Sequence, residues 1–148
     1  MIYKEEIRDL FSVSDEYYLA HCISADFALG AGIAVEFVKR FNMRKKLQTC
    51  FDGYLNEFIE NNYKSDCLMM GRVFNLITKE RYWQKPTYAT MRGALEMMRK
   101  LIIENNVNKI AMPVIGCGLD RLTFNKVSEI IQDVFKELDI EILVCKQK

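Results

Sequence analysis

The order of apolar and polar residues along the 148-residue chain predicts strands and helices in turn. Short apolar runs bounded by turn residues are typical of buried strands. The predicted strands lie at 2–7, 17–24, 67–78, 109–114 and 140–145. Gly71 interrupts the third run, which therefore predicts either two strands or one strand with a bend.

Between these runs, apolar residues recur every three or four positions, as on one face of a helix. The predicted helices lie at 33–41, 44–60, 88–102 and 127–138. The third has the clearest apolar stripe, formed by Tyr88, Met91, Leu95, Met98 and Ile102. Pro86 suits the start of the third helix, and Thr123 suits the cap of the fourth. This alternation predicts an α/β fold with helices on both faces of a largely parallel sheet, and a ligand site beyond the carboxyl ends of its strands.

Composition narrows the class of protein. At this length we expect one domain, residues 1–148, that needs no disulfides. The net charge of +1 gives no bulk reason to expect nucleic-acid or membrane binding, although a local basic patch stays open. The five cysteines include no CxxC pair and there is one histidine, so we expect reduced thiols rather than a zinc site. Without a signal core or a membrane span, we expect a cytoplasmic protein.

Two glycine-bearing loops follow predicted strands or open predicted helices. They read GAGIAVEF at 30–37 and GCGLD at 116–120. Glycine lets the backbone approach a ligand, and a helix start offers free N–H groups to an anion. Neither loop matches a dinucleotide or P-loop fingerprint, so a plain structural turn is the alternative for each. Together on one sheet edge, they would cradle a diphosphate through backbone amides.

A lysine and a carboxylate fall at the same predicted edge. Lys79 ends the strand LITK, and Asp120 follows the second glycine loop. A lysine there is ordinarily a solvated surface charge, and Asp120 would ordinarily pair with Arg121 or another cation. A partly desolvated lysine at the mouth of a pocket would instead act as a nucleophile if a carboxylate faced it.

Three further features have ordinary structural interpretations. His21, inside a predicted strand, is expected to be a hydrogen-bonded structural histidine. Cys117 has no second histidine to activate it, so we do not expect it to act as a nucleophile. Residues 81–83 combine an arginine with Tyr82 and Trp83, which would either stack on a base or a protein side chain or pack over the sheet edge.

Taken in order, five segments resemble macrodomains, specifically the branch of terminal ADP-ribose protein glycohydrolases. These segments are DLF at 9–11, AHCISAD at 20–26, GAGIAVEF at 30–37, LITKERYWQKPTY at 76–88 and MPVIGCGLDRL at 112–122. The resemblance covers nearly the whole chain. It implies a three-layer α/β/α sandwich around a mixed sheet, with ADP-ribose bound at one edge.

The resemblance also implies roles for individual residues. Asp9, with the Leu10 backbone, would read adenine, and Ser24 would lie near the distal ribose. Lys79 would be the nucleophile and Asp120 its acid/base partner. The implied ADP-ribose contacts are Asp9, Leu10, Ser24, Ala31, Gly32, Ile33, Thr78, Val114, Ile115, Gly116, Cys117, Gly118 and Leu119.

The implied reaction is release of ADP-ribose from glutamate or aspartate side chains of modified proteins, and from O-acyl-ADP-ribose esters. No metal or cofactor is required, because a carboxylate is a good leaving group. ADP-ribosylated proteins are the expected partners, and a monomer is expected. The alternatives are a macrodomain acting on ADP-ribosylated nucleic acid, a reader that binds ADP-ribose without catalysis, and an unrelated nucleotide-binding scaffold.

Two positions depart from the family pattern. Arg8 stands where many macrodomains have glycine before the adenine-reading aspartate. Cys145 stands near the chain end, where many relatives offer an aromatic side chain to adenine. The resemblance therefore leaves open how this chain holds the adenine.

Overall fold

Six strands form one mixed sheet in the computed structural model, which describes residues 1–117 and 120–147. The strands are β1 (Ile2–Ile7), β2 (Tyr18–Ser24), β3 (Asp66–Met70), β4 (Val73–Lys79), β5 (Lys109–Met112) and β6 (Glu141–Lys146). Their order across the sheet is β1-β6-β5-β2-β4-β3. All neighbours are parallel except the β3–β4 pair. The predicted mixed, largely parallel sheet is therefore confirmed.

Helices cover both faces of the sheet. They are α1 (Ala34–Phe41), α2 (Met43–Cys50), α3 (Tyr54–Glu60), α4 (Tyr88–Glu104) and α5 (Phe124–Phe135), with a short 3-10 helix at Leu10–Ser12. The first three enclose one apolar core, which includes Phe37, Leu47 and Phe58. The last two enclose a second core, which includes Met98 and Phe135. The predicted three-layer α/β/α architecture is confirmed.

Four details differ from, or complete, the predicted elements. The single helix predicted at 44–60 is divided by a turn at residues 51–53, where Phe51 is no longer helical and Gly53 has a left-handed φ of 75°. The 67–78 run is a hairpin of β3 and β4 that turns at Gly71, where φ is 58°. β5 stops at Met112 rather than 114, because Pro113 has no N–H to donate. Thr123 is the N-cap residue of α5 but makes no side-chain capping bond.

His21 is a core residue, as predicted. It is fully buried on β2, and its ring stacks on Phe37 with 3.8 Å between centroids. Its Nε2 lies 2.7 Å from Oδ1 of Asn75, whose Nδ2 donates to the Leu68 carbonyl. Because the Asn75 oxygen can only accept, Nε2 carries a proton. Burial lowers the pKa of His21 to about 4.

The stability of the fold is expected to fall as pH decreases from about 6.5 to about 4. In that window the unfolded chain binds a proton at His21 and the folded chain does not. The difference amounts to about 3 kcal/mol at most. Urea unfolding at a series of pH values checks this. His21→Gln, which cannot be protonated there, should have a flatter profile, and identical profiles would contradict the assignment.

The carboxyl ends of β1, β2, β4, β5 and β6 meet at one edge of the sheet, because all five run parallel. The loops that follow β2 and β5 contain the two glycine motifs identified in the sequence, and Lys79 is the last residue of β4. Within the described ranges, no helix combines the length and hydropathy needed to cross a bilayer.

Candidate functional site

A cleft of about 1490 Å³ opens at this edge of the sheet. Most of the residues predicted to bind ligand or to react lie along it. They are Asp9, Leu10, Ser24, Ala31, Gly32, Ile33, Lys79, Val114, Ile115, Gly116, Cys117 and Asp120. The cleft therefore brings together segments from both ends and the middle of the chain.

Three predicted contacts are not among these lining residues. Thr78 is buried, with 1% of its surface exposed, and does not line the cleft. The β2–β4 register shifts here, since Ile23 pairs with Ile77 and Ser24 with Lys79, which leaves Thr78 without a partner on β2. Gly118 and Leu119 lie outside the described residues.

Lys79 and Asp120 form an ion pair in the wall of the cleft. The Lys79 Nζ donates to Asp120 Oδ1 at 2.9 Å. The two side chains are only 14% and 18% exposed, respectively. The partner of Asp120 is thus this lysine, 41 residues away, rather than the surface cation of the ordinary interpretation. An amine and a carboxylate in direct contact, open to a ligand cleft, can exchange a proton as a reaction proceeds.

Backbone hydrogen bonds fix both members of the pair. Ser24 and Lys79 are partners in the β2–β4 register, and the Ala25 N–H donates to the Lys79 carbonyl at 3.0 Å. On the other side, the Leu122 N–H donates to the Gly116 carbonyl at 2.8 Å, which closes the turn that contains Asp120. The pairing of β4 with β2 positions Lys79, and the turn closed by the Leu122–Gly116 hydrogen bond positions Asp120. Together they produce the 2.9 Å contact between the two side chains.

The loop before α1 places its backbone close to the cleft. Phe27, Leu29 and Gly32 all have left-handed φ angles, of 55°, 43° and 61°. The first two cost energy for residues with side chains. Arg44 of α2 offsets this cost, since its guanidinium donates to the Ala28 carbonyl at 2.7 Å and the Leu29 carbonyl at 3.1 Å. Arg44 thus holds in place a loop whose residues 28–34 line the cleft.

Gly116, in the second loop, has a backbone conformation that favours glycine. Its φ is 75°, and a Cβ there would lie 2.8 Å from Met91 Cε and 3.1 Å from Leu122 Cδ1. The loop therefore packs closely on α4 while its other side lines the cleft. The left-handed φ and the close packing explain the glycine at position 116.

Asp26 is a structural link that the sequence analysis did not assign. Its Oδ1 accepts from the Ser24 hydroxyl at 2.5 Å and from the Ala28 N–H at 3.2 Å. Its Oδ2 accepts from the Tyr82 N–H at 3.0 Å. One carboxylate thus connects the loop after β2 to the loop after β4. No sequence pattern indicates this role, because it depends on where two backbone N–H groups point.

The far end of the cleft contains Asp9 and Cys145. Asp9 caps the short 3-10 helix, with Oδ1 accepting from the Phe11 N–H at 3.0 Å. The Phe11 ring is covered by Arg40, whose Cζ lies 4.3 Å from the ring centroid, a cation–π contact. Phe11 and Arg40, which the sequence analysis did not identify, both line this end.

The cysteines that line the cleft are held as thiols. Burial raises the pKa of Cys22, and the nearby Asp120 carboxylate raises it further. The same two causes raise the pKa of Cys117. Burial raises the pKa of Cys145 to about 11. Because the thiolate is the nucleophile, these directions agree with the prediction that Cys117 does not supply one.

The sheet, the flanking helices and the position of the cleft define the macrodomain fold. The macrodomain of Mycobacterium tuberculosis DarG has a TM-score of 0.77 to this structure, over 99% of this chain and 98% of that one. Its sequence is 20% identical, so this similarity shows the fold alone.

Sequence similarity defines the family more closely. The human ADP-ribose glycohydrolase OARD1 is 41% identical over 141 residues, which cover 92% of this chain and 86% of that protein. OARD1 of Bos taurus is 42% identical over the same coverage. The chain therefore belongs to the macrodomain family, in the group that contains the ADP-ribose glycohydrolase OARD1. No family model matches the chain.

Proposed function

We propose that this chain, an ADP-ribose glycohydrolase of the macrodomain type, releases ADP-ribose from glutamate and aspartate side chains of modified proteins. In this proposal Lys79 is the nucleophile and Asp120 its proton-transfer partner. The observation that carries it is the 2.9 Å contact between Lys79 Nζ and Asp120 Oδ1 inside the cleft.

The cleft accommodates ADP-ribose along its length. We place the adenine at the end formed by Asp9 and the Leu10 backbone. The diphosphate lies between the 30–33 loop and the 114–117 loop, where backbone N–H groups replace charged side chains. The distal ribose then lies beside Ser24, within reach of Lys79. The supporting observation is that all these residues line one continuous cleft.

The reaction proceeds from this arrangement in two stages. Asp120 accepts a proton from the Lys79 ammonium, and the neutral amine attacks the anomeric carbon of the distal ribose. The bond from that carbon to the protein carboxylate breaks, and the carboxylate leaves with the bonding electrons. The lysine adduct opens to a Schiff base when the ring oxygen takes a proton. Water then adds to the imine carbon, and proton transfer through Asp120 frees Lys79 and ADP-ribose.

This mechanism sets the substrate class by the leaving group. A carboxylate stabilises the departing negative charge, whereas an alkoxide from a serine linkage does not. Esters such as O-acetyl-ADP-ribose share the carboxylate and should be cleaved as well. Linkages to serine should resist the enzyme.

Release of free ADP-ribose from two defined peptides tests the proposal. One peptide carries ADP-ribose on glutamate and the other on serine, with the same flanking sequence. We expect release from the glutamate peptide by the wild type and no release from the serine peptide. A protein that binds ADP-ribose by calorimetry but releases none from either peptide would be a reader. Release only from a modified oligonucleotide would support the nucleic-acid alternative.

A further inference from the structure

Two large aromatic side chains are exposed beside the cleft. Tyr82 is 66% exposed and Trp83 is 64% exposed, in the loop that follows β4. Most large apolar side chains of the chain are buried in the two cores. Adjacent exposed aromatic rings next to a ligand cleft are a feature of binding surfaces rather than of ordinary solvent-facing loops.

Hydrogen bonds hold these aromatic residues in an ordered turn, residues 81–84. The Tyr82 N–H donates to Asp26 Oδ2 at 3.0 Å. The Arg81 N–H donates to Gln84 Oε1 at 2.7 Å, and the Gln84 N–H donates to the Arg81 carbonyl at 3.0 Å. A pre-ordered turn loses little entropy when a partner binds, which favours recognition by its side chains.

The 81–84 turn adjoins the reacting end of the cleft. Tyr82 lines the cleft together with Lys79, whereas Trp83 lies outside the lining. Lys79 is proposed to face the anomeric carbon, so whatever is attached to that carbon leaves the cleft at this end. The macromolecule that carries the ADP-ribose therefore leaves the cleft next to the 81–84 turn.

We propose that Tyr82 and Trp83 form a docking surface for the polypeptide segment that carries the ADP-ribosylated side chain. This inference rests on the proposed function, because a carboxylate linkage makes the carrier a polypeptide. Lys85 lines the cleft, and Arg121 follows Asp120 in the sequence. Arg81 precedes Tyr82 and pairs with Glu80 at 3.4 Å. These cations suit a polypeptide segment with acidic residues around the modified one.

The test compares two substrates that share one ester bond. O-acetyl-ADP-ribose has no carrier, whereas a peptide ADP-ribosylated on glutamate does. For Trp83→Ala we expect KM for the peptide to rise about tenfold, with kcat/KM for the small ester within about twofold of wild type. Trp83→Phe should recover much of the peptide KM. Tyr63→Ala, at another exposed aromatic outside the cleft lining, is the matched control and should change neither substrate.

Fluorescence provides a readout that does not depend on turnover, since Trp83 is the single tryptophan of the chain. We expect the modified peptide to shift its emission to shorter wavelength, and ADP-ribose alone to leave it nearly unchanged. An unchanged peptide KM in Trp83→Ala, an equal loss on both substrates, or a shift seen only with a modified oligonucleotide would overturn the docking proposal. If the wild type cleaves neither ester, the proposed function fails, and the fluorescence result still decides whether the peptide docks.

Discussion

Lys79→Arg is expected to lower kcat for a glutamate-linked ADP-ribosyl peptide by about 1,000-fold or more. Arginine keeps the positive charge that Asp120 contacts at 2.9 Å, so the ion pair in the cleft wall can persist. It stays protonated at any ordinary pH and cannot attack the anomeric carbon. The loss therefore reports the missing nucleophile rather than a collapsed site. Single-turnover release of ADP-ribose measures it.

Lys79→Arg should lose turnover but keep its affinity for free ADP-ribose. We expect the Kd of Lys79→Arg for free ADP-ribose, from calorimetry, to stay within about threefold of wild type, because the proposed contacts to adenine and diphosphate are unchanged. Lys39→Ala, at an exposed lysine of α1 outside the cleft lining, is the matched control and should retain full activity. Near-wild-type turnover by Lys79→Arg would show that another group performs the chemistry.

The second large effect is expected from Asp120→Asn. Asparagine preserves the shape of the side chain and a contact to Lys79 but cannot accept a proton. We expect kcat to fall about 100- to 10,000-fold, the range for loss of a general acid/base group, with little change in KM. Asp120 is proposed to assist both the attack by Lys79 and the release from it. If the substitution slows release more than attack, a covalent ADP-ribosyl adduct accumulates, and intact mass spectrometry measures it.

Asp133→Asn is the control for this variant. Asp133 is a half-exposed carboxylate on α5 that pairs with Arg92, outside the cleft lining. It should show normal kinetics and no adduct. If Asp120→Asn were as active as Asp133→Asn, the ion pair with Lys79 would be a structural feature of the cleft wall and not part of the reaction.

The types of the main elements could be predicted from the sequence, because hydrophobic periodicity reports which face of a strand or helix is buried. The pattern of α4 and the apolar runs of β2 and β6 are examples. Interruptions were less predictable. The 44–60 pattern is amphipathic throughout, and it is the non-helical backbone from Phe51 to Gly53 that divides it into two helices.

For the candidate site, the sequence identified the groups at the strand ends. Lys79 ends β4 and Asp120 follows β5, and the two strands are parallel members of one sheet. The topology therefore brings both residues to the same edge of the sheet. The family resemblance implied that they act together. Asp26 and Arg44 could not be found in this way. Their partners are backbone N–H and C=O groups in loops with left-handed residues, and the direction of those groups is not encoded in any local pattern. The contact of Thr78 with ADP-ribose stays a prediction: Thr78 is buried outside the cleft lining, and the motif that contains it gives no side-chain direction.

Borohydride trapping of the reaction intermediate tests the central claim most directly. The wild type is mixed with a glutamate-linked ADP-ribosyl peptide, reduced during turnover and digested for mass spectrometry. The Lys79→Arg variant is treated in the same way. Free ADP-ribose in place of the peptide is the control for non-enzymatic adducts. We predict an ADP-ribosyl group reduced onto Lys79 and lost in the variant. Active enzyme that yields no adduct at Lys79, or yields the same adducts in both proteins, would contradict the lysine mechanism.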